Sequence, residues 1–211
     1  MHNVTVAFAV LLVMLLSYFF GCFNGSFMVS HFIIRDDVRK HGSGNAGLTN
    51  FYRTYGAKYA LLVIACDMGK TVAACLLGSF FFRCLGWDGT LGTLLAGLGC
   101  ELGHIFPVFY GLRGGKGILS GGTIVWMIDW RIGLVVWVGF LLLFLLTKYV
   151  SLGSVWAGAS FPFATWYFYP DPVIVLLAFL LGALILWKHR SNIVRLIHGN
   201  ENKFSVHRKK N

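Results

Sequence analysis

Apolar residues dominate seven stretches of the chain, at roughly 4–23, 57–82, 91–110, 118–128, 132–147, 152–168 and 173–187, with polar, glycine-bearing segments between them. Most have the length of a helix crossing about 30 Å of hydrocarbon. The pattern predicts an all-α integral membrane protein, a bundle of seven transmembrane helices forming a single domain over residues 1–211. The fourth stretch, Ile118 to Ile128, is too short to cross unaided and is expected to be a half-span or to extend into its flanks. Glycines 114, 115, 117, 121 and 122 around it suit irregular backbone, tolerated at membrane depth only where protein or water satisfies it. The first stretch lacks the basic leader and small-residue cleavage site of a signal peptide, and is expected to be the first spanning helix.

Composition agrees with this reading. Of 211 residues, 57% are hydrophobic and only 12% charged, against about 25% charged in a soluble domain; the mean hydropathy is +0.71. With the amino terminus outside, segments 24–56, 111–117, 148–151 and 188–211 and their flanks are cytoplasmic. They hold fifteen of the 18 Lys and Arg residues; the other side holds Arg83 and Arg131, and Lys70 alone lies within a span. Under the positive-inside rule this fixes the expected orientation. The net charge of +10 then sits on one face, suited to anionic lipid and phosphorylated substrates. No nucleic-acid module is visible, and the basic tail 198–211, ending His207–Asn211, reads as a solvated, lipid-attracted end. The five cysteines fall in or beside apolar runs with no CxxC pair and no His at ligand spacing, so they read as small packing residues.

Three polar segments on the basic face carry chemistry. Lys40 to Arg53, KHGSGNAGLTNFYR, places Gly42, Gly44 and Gly47 where backbone N–H groups can converge on an anion. Ser43, Asn45, Thr49 and Asn50 add side-chain donors, and Arg53 adds a planar fork for phosphate. His104 to Gly117, HIFPVFYGLRGGKG, bends at Pro107 and offers Arg113 and Lys116 on a frame that includes Gly114 and Gly115. It is no Walker motif, because Tyr110 and Gly117 stand where Gly and Ser or Thr are required. Lys188 to Glu201, KHRSNIVRLIHGNE, puts His189 and Asn192 on one helical face. A weaker element, Thr147 to Ser154, brings Ser154 to a helix boundary. The cytoplasmic segments hold only three carboxylates, Asp36, Asp37 and Glu201, which argues against a carboxylate pair or a two-metal centre. Phosphate chemistry with cations, hydroxyls and one histidine fits.

These segments resemble the three signature motifs of the PlsY family, the acyl-phosphate-dependent glycerol-3-phosphate acyltransferases of bacterial inner membranes: GSGNAGLTN with Arg53, GHIFPVFYGLRGGKG, and HRSNIVRLIHGNE, in order from residue 43 to 201. The resemblance implies a seven-helix bundle whose motifs meet on the cytoplasmic side. It implies acyl transfer from a fatty acyl phosphate to the 1-hydroxyl of glycerol 3-phosphate, releasing phosphate and leaving 1-acyl-glycerol 3-phosphate in the bilayer, without cofactor or metal. Carried over, Ser43, Arg53, Lys116, Ser154, His189 and Asn192 line the site. Arg53 and Lys116 hold the phosphate of glycerol 3-phosphate, Ser43, Asn45 and the loop N–H groups hold a second phosphate or an oxyanion, and either His189 or the substrate's own phosphate takes the hydroxyl proton.

Two features depart from the family pattern. Asp67, Lys70 and Thr71 replace its Asp-x-x-Lys-Gly; the first two are expected to neutralise one another facing the bundle. Glu101, one turn before His104, is expected to bond that histidine or to face a watery cavity. Two motifs are decoys. His31 to Asp36, HFIIRD, satisfies the His-x4-Asp pattern of acyl-CoA-dependent acyltransferases without their companion motifs, and Gly69–Thr71 imitates the end of a P-loop with Ile64 in place of its first glycine. A transporter of phosphorylated metabolites is the alternative function; it would favour a midplane site and repeated halves, and no repeat is found. A phosphatidyltransferase would need an acidic metal-binding motif that is absent.

Overall fold

The computed structural model describes residues 2–204, with side chains from residue 4 onward; the basic end His207–Asn211 lies outside the described residues. All seven apolar stretches are helical, and among the described residues there is no strand. In chain order the helices are α1 (His2–Cys22), α2 (Gly25–Met28), α3 (Leu48–Tyr55), α4 (Ala60–Cys84), α5 (Gly89–Ile105), α6 (Ile118–Ile128), α7 (Trp130–Thr147), α8 (Val150–Phe168), α9 (Pro172–Lys188) and α10 (Arg190–Ile197).

Among the described residues, four segments are long and apolar enough to cross a bilayer: Val4–Ile34, α4, Gly89–Tyr110 and α7. The first joins α1 to α2 and a π-helical turn, Val29–Ile34. The pair α9 and α10, bent by 60°, passes the same test only when taken together, as a broken span or a re-entrant loop. At 11 residues, α6 stays short, and Asp129 turns the chain at its end. One Asp129 oxygen caps α7 by accepting from the Arg131 N–H at 2.7 Å, and the other accepts from the Tyr169 hydroxyl at 3.1 Å.

Helix α5 is the hub, packed on α1, α4, α6 and α9. Close approach explains its glycines: a Cβ on Gly103 would strike the Tyr18 carbonyl of α1, and one on Gly92 the Gly78 carbonyl of α4. In lipid, where apolar burial gives no preference for helix over solvent, such backbone contact is a main source of cohesion. Leu94, Ile124, Ile132, Ala178 and Leu181 fill the interior between α5, α6, α7 and α9.

Candidate active site

Asn24, fully buried at the break between α1 and α2, fixes the first polar segment. Its Oδ1 accepts from the Phe27 N–H at 2.9 Å, and its amide donates to the Ala46 carbonyl, also at 2.9 Å. Asn50 closes the loop from the other side: Oδ1 accepts from the Ser43 N–H at 3.0 Å, and the amide donates to the Val38 and His41 carbonyls at 3.1 Å each. Gly42 follows from that closure, since at φ +55° its Cβ would fall on the Asn50 oxygen. The loop delivers the chain to α3, which begins after Gly47 with no side-chain cap. Its first N–H groups are therefore available to an anion, and the helix dipole favours one there.

The second segment folds back on the end of α5. Gly114 N–H donates to the Ile105 carbonyl at 3.2 Å and Gly115 N–H to the His104 carbonyl at 3.1 Å. Beneath lies a buried polar cluster. The Lys70 ammonium is 2.8 Å from Asp67 Oδ1 and donates to the Gly21 and Phe23 carbonyls, and its Nζ is 2.9 Å from His104 Nδ1. Asp67 also accepts from the Gly25 N–H at 3.0 Å. The expected Asp67–Lys70 pair is thus present, as part of a wider network joining α1, α2, α4 and α5. Glu101 meets neither expectation. It is fully buried, its carboxylate oxygens have no hydrogen-bond partner among the described residues, and it fills the space that a Cβ on Gly117 would need.

The third segment begins where α9 ends. His189 Nδ1 lies 2.8 Å from the Ile185 carbonyl; a carbonyl can only accept, so Nδ1 carries the proton and Nε2 is left as an acceptor. Burial holds the His189 imidazolium down to about 4, so the ring is neutral near pH 7. Asn192 accepts a hydrogen bond from Lys116 and donates to Glu201 Oε1 at 2.9 Å. Glu201 also receives Arg195 at 2.7 Å, and hydrogen bonds from its neighbours hold its carboxyl below the usual range despite partial burial. Burial, followed by repulsion from Arg195, pulls the Lys116 ammonium down to about 8.

The three segments surround one cavity of about 680 Å³. Of the residues expected from the sequence, Ser43, Asn45, Thr49, Asn50, Arg53, Lys116, Ser154, His189 and Asn192 all line it. Asn50 does so with its side chain already occupied by the loop. Gly114 and Gly115 stand outside the lining, behind the wall on His104. Ser154 donates to the Val150 carbonyl at 2.9 Å and is almost fully buried. Arg53 is exposed at the rim, 3.4 Å from the Asn202 carbonyl. His104, Arg195 and Glu201 also line the cavity; they belong to the polar segments, but spacing alone assigned them no role. Ile64 and Met68 of α4 and Trp137 and Phe140 of α7 add apolar lining.

The decoy separates in space. His31 is exposed and stacks on Phe27 with ring centroids 5.3 Å apart, whereas Asp36 binds His41 at 2.8 Å and the Tyr55 hydroxyl at 3.0 Å. Among the described residues no three His, Cys, Asp or Glu side chains are grouped to hold a metal ion.

A family profile described as glycerol-3-phosphate acyltransferase matches residues 11–199. The glycerol-3-phosphate acyltransferase of Finegoldia magna is 42% identical over 187 residues, covering 88% of this chain and 91% of the relative. That of Thermoanaerobacter pseudethanolicus is 36% identical, covering 90% and 92%. The crystal structure of PlsY (YgiH), an integral membrane glycerol 3-phosphate acyltransferase in its glycerol 3-phosphate form, superposes with a TM-score of 0.83 at 32% identity, covering 93% of this chain and 96% of that one. Its lysophosphatidic acid form gives 0.81 at 30% identity. Matched over nearly its full length in sequence and in fold, the chain belongs to the glycerol-3-phosphate acyltransferase family.

Proposed function

We propose that this membrane enzyme transfers a fatty acyl group from acyl phosphate to the 1-hydroxyl of glycerol 3-phosphate. One observation carries the reading: three separated polar segments bring Arg53, Lys116, Arg195, His189 and an uncapped helix terminus to a single cavity with apolar residues in its lining. A soluble phosphate ester and a lipid-borne acyl phosphate both find their partners there.

Arg53 and Lys116 hold the glycerol 3-phosphate phosphate through charge-assisted bonds. Asn192 aims the Lys116 amine, and Glu201 aims Asn192. Ser43, Asn45 and the first N–H groups of α3 receive the acyl donor's phosphate. His189 Nε2 accepts a hydrogen bond from the 1-hydroxyl and orients it. The hydroxyl oxygen attacks the acyl carbonyl carbon, the C–O bond to phosphate breaks, and inorganic phosphate leaves. The proton passes to a phosphate oxygen of the substrate, whose second ionisation lies near 6, a better acceptor than a histidine held down to about 4.

Seven spans are proposed, with the amino terminus outside and the cavity opening to the cytoplasm of a bacterial inner membrane, as the one-sided Lys and Arg distribution supports. The test is an acyl-transfer assay on detergent-solubilised protein in EDTA, with labelled glycerol 3-phosphate and either palmitoyl phosphate or palmitoyl-CoA. Lysophosphatidic acid from the acyl phosphate alone is expected; product from the CoA ester alone would refute the donor assignment.

A further inference from the structure

We infer that His104 is a further catalytic residue, its Nε2–H donating to the phosphoryl group of the acyl phosphate, with Lys70 and Asp67 as the positioning residues that fix its tautomer. This rests on the donor proposed above.

The tautomer follows from valence. His104 Nδ1 lies 2.9 Å from the Lys70 ammonium, which has three donors and no lone pair. The Asp67 oxygen, 3.6 Å from Nδ1, is beyond hydrogen-bond reach, so Nδ1 accepts from the ammonium and the proton of a neutral ring sits on Nε2. Asp67, 2.8 Å from the same ammonium, and the Gly21 and Phe23 carbonyls hold Lys70 in place, its three N–H groups being shared among these oxygens and Nδ1. His104 is therefore a donor, with no lone pair free to act as a base. His189 has the opposite tautomer and can only accept at Nε2. The cavity thus has one imidazole of each kind.

The position of Nε2 follows from Gly115, where an added Cβ would strike it. His104 is 3% exposed, lines the cavity with Asp67, Lys116 and Gly117, and its Nε2 has no hydrogen-bond acceptor among the described residues. With no protein acceptor and without being sealed off, that N–H is open to an oxygen bound in the cavity. The loop has two sides: at Gly115 it backs onto His104, while the Lys116 side chain reaches Asn192 in the third segment. The cations Lys116, Arg195 and Arg53 cluster with the third segment. His104 is tied through Lys70 and Asp67 to the α1–α2 break, where Asn24 holds the first segment. It therefore serves the phosphate bound by the first segment, that of the acyl donor. A neutral N–H suits this place inside α5, where a further charge would be costly to desolvate.

Two substitutions separate donation from packing. His104→Asn keeps an acceptor near Nδ1 for Lys70 but puts nothing at Nε2; His104→Gln places an amide N–H near Nε2. Both are compared with wild type for transfer from palmitoyl phosphate, with monodispersity and thermal unfolding as folding controls. H104N is expected to lose about a hundredfold in kcat, as when one preorganised donor is removed, with the glycerol 3-phosphate KM little changed; H104Q should retain most of kcat. Folded H104N with wild-type kcat, or H104Q no better than H104N, overturns this role while leaving the reaction standing. No transfer by wild type overturns the reaction and this role with it. If the His104 variants do not fold, 15N-histidine-labelled H189Q protein with a non-transferable acyl phosphonate decides by magnetic resonance. Dipolar coupling of a protonated imidazole nitrogen to phosphorus supports the role, and its absence overturns it.

Discussion

Lys116 gives the most direct test of how the site binds its soluble substrate. Burial and the neighbouring Arg195 lower its pKa to about 8, against a smaller upward pull from Glu201. The sign is that of a depressed cation: the ammonium is charged below pH 8 and lost above it. A group of that pKa is charged in about ten of eleven molecules at pH 7 and about one of eleven at pH 9. Glycerol 3-phosphate is a dianion across that window, its second ionisation being near 6. A charge-assisted bond is worth about 1.5–3 kcal/mol, so the uncharged form binds at least tenfold more weakly and the population sets the result. Wild-type kcat/KM for glycerol 3-phosphate should fall about six- to ninefold between pH 7 and 9, a little less than the charged fraction because the uncharged form keeps some binding. Lys116→Arg, whose guanidinium does not titrate in this range, should remove the fall whatever its absolute rate. Lys116→Met should be about 10- to 150-fold slower in kcat/KM at pH 7 and flat above it. The assay is initial-rate lysophosphatidic acid formation across pH 6–9.5 at saturating palmitoyl phosphate. A flat wild-type profile, or an equal fall in Lys116→Arg, would refute the assignment.

His189→Gln should retain within about tenfold of the wild-type kcat while His189→Ala loses more, because orientation needs only an acceptor; loss of a general base would cost about 10²–10⁴ in both. Asn24→Ala removes a buried cap and the hold on Ala46. It should cost about 1–3 kcal/mol of stability, read as a lower unfolding temperature in detergent, and should raise the KM for acyl phosphate. His31→Ala should be nearly silent in both kcat and KM, since the ring is exposed, stacks on Phe27 and meets Phe32 edge-on; loss of activity would revive the His-x4-Asp reading.

The helices were legible because hydrocarbon leaves few alternatives: an apolar run must satisfy its backbone internally, and all seven runs do so as helices. Donor density, glycine and cation were enough to single out the three segments. Pairings across the chain were not legible. Nothing in the spacing says that Lys116 meets Asn192, that Glu201 meets both Asn192 and Arg195, or that Asn50 is occupied by its own loop, because helical periodicity reports a face and not what lies against it. The Asp67–Lys70 pair was read correctly because both partners sit one turn apart on one helix; its third member, His104, is on another and escaped.

From the sequence, the glycines of the second segment suit irregular backbone that frames two cations, and the structure gives them a further reason. Gly115 leaves room for the His104 imidazole and Gly117 for the Glu101 carboxyl, both of which would be struck by a Cβ; Gly117 also has φ +85°. The loop is thus shaped from below by side chains of α5, and the cluster that holds His104 reaches α1, α2 and α4. Polar groups inside a membrane bundle are expensive. This cluster connects the floor of the second segment to the anchor of the first, through Lys70, Asp67 and the Gly25 N–H beside Asn24. Two loops far apart in sequence are therefore set on one rigid base, which is what holding two phosphates in fixed register for an in-place transfer requires.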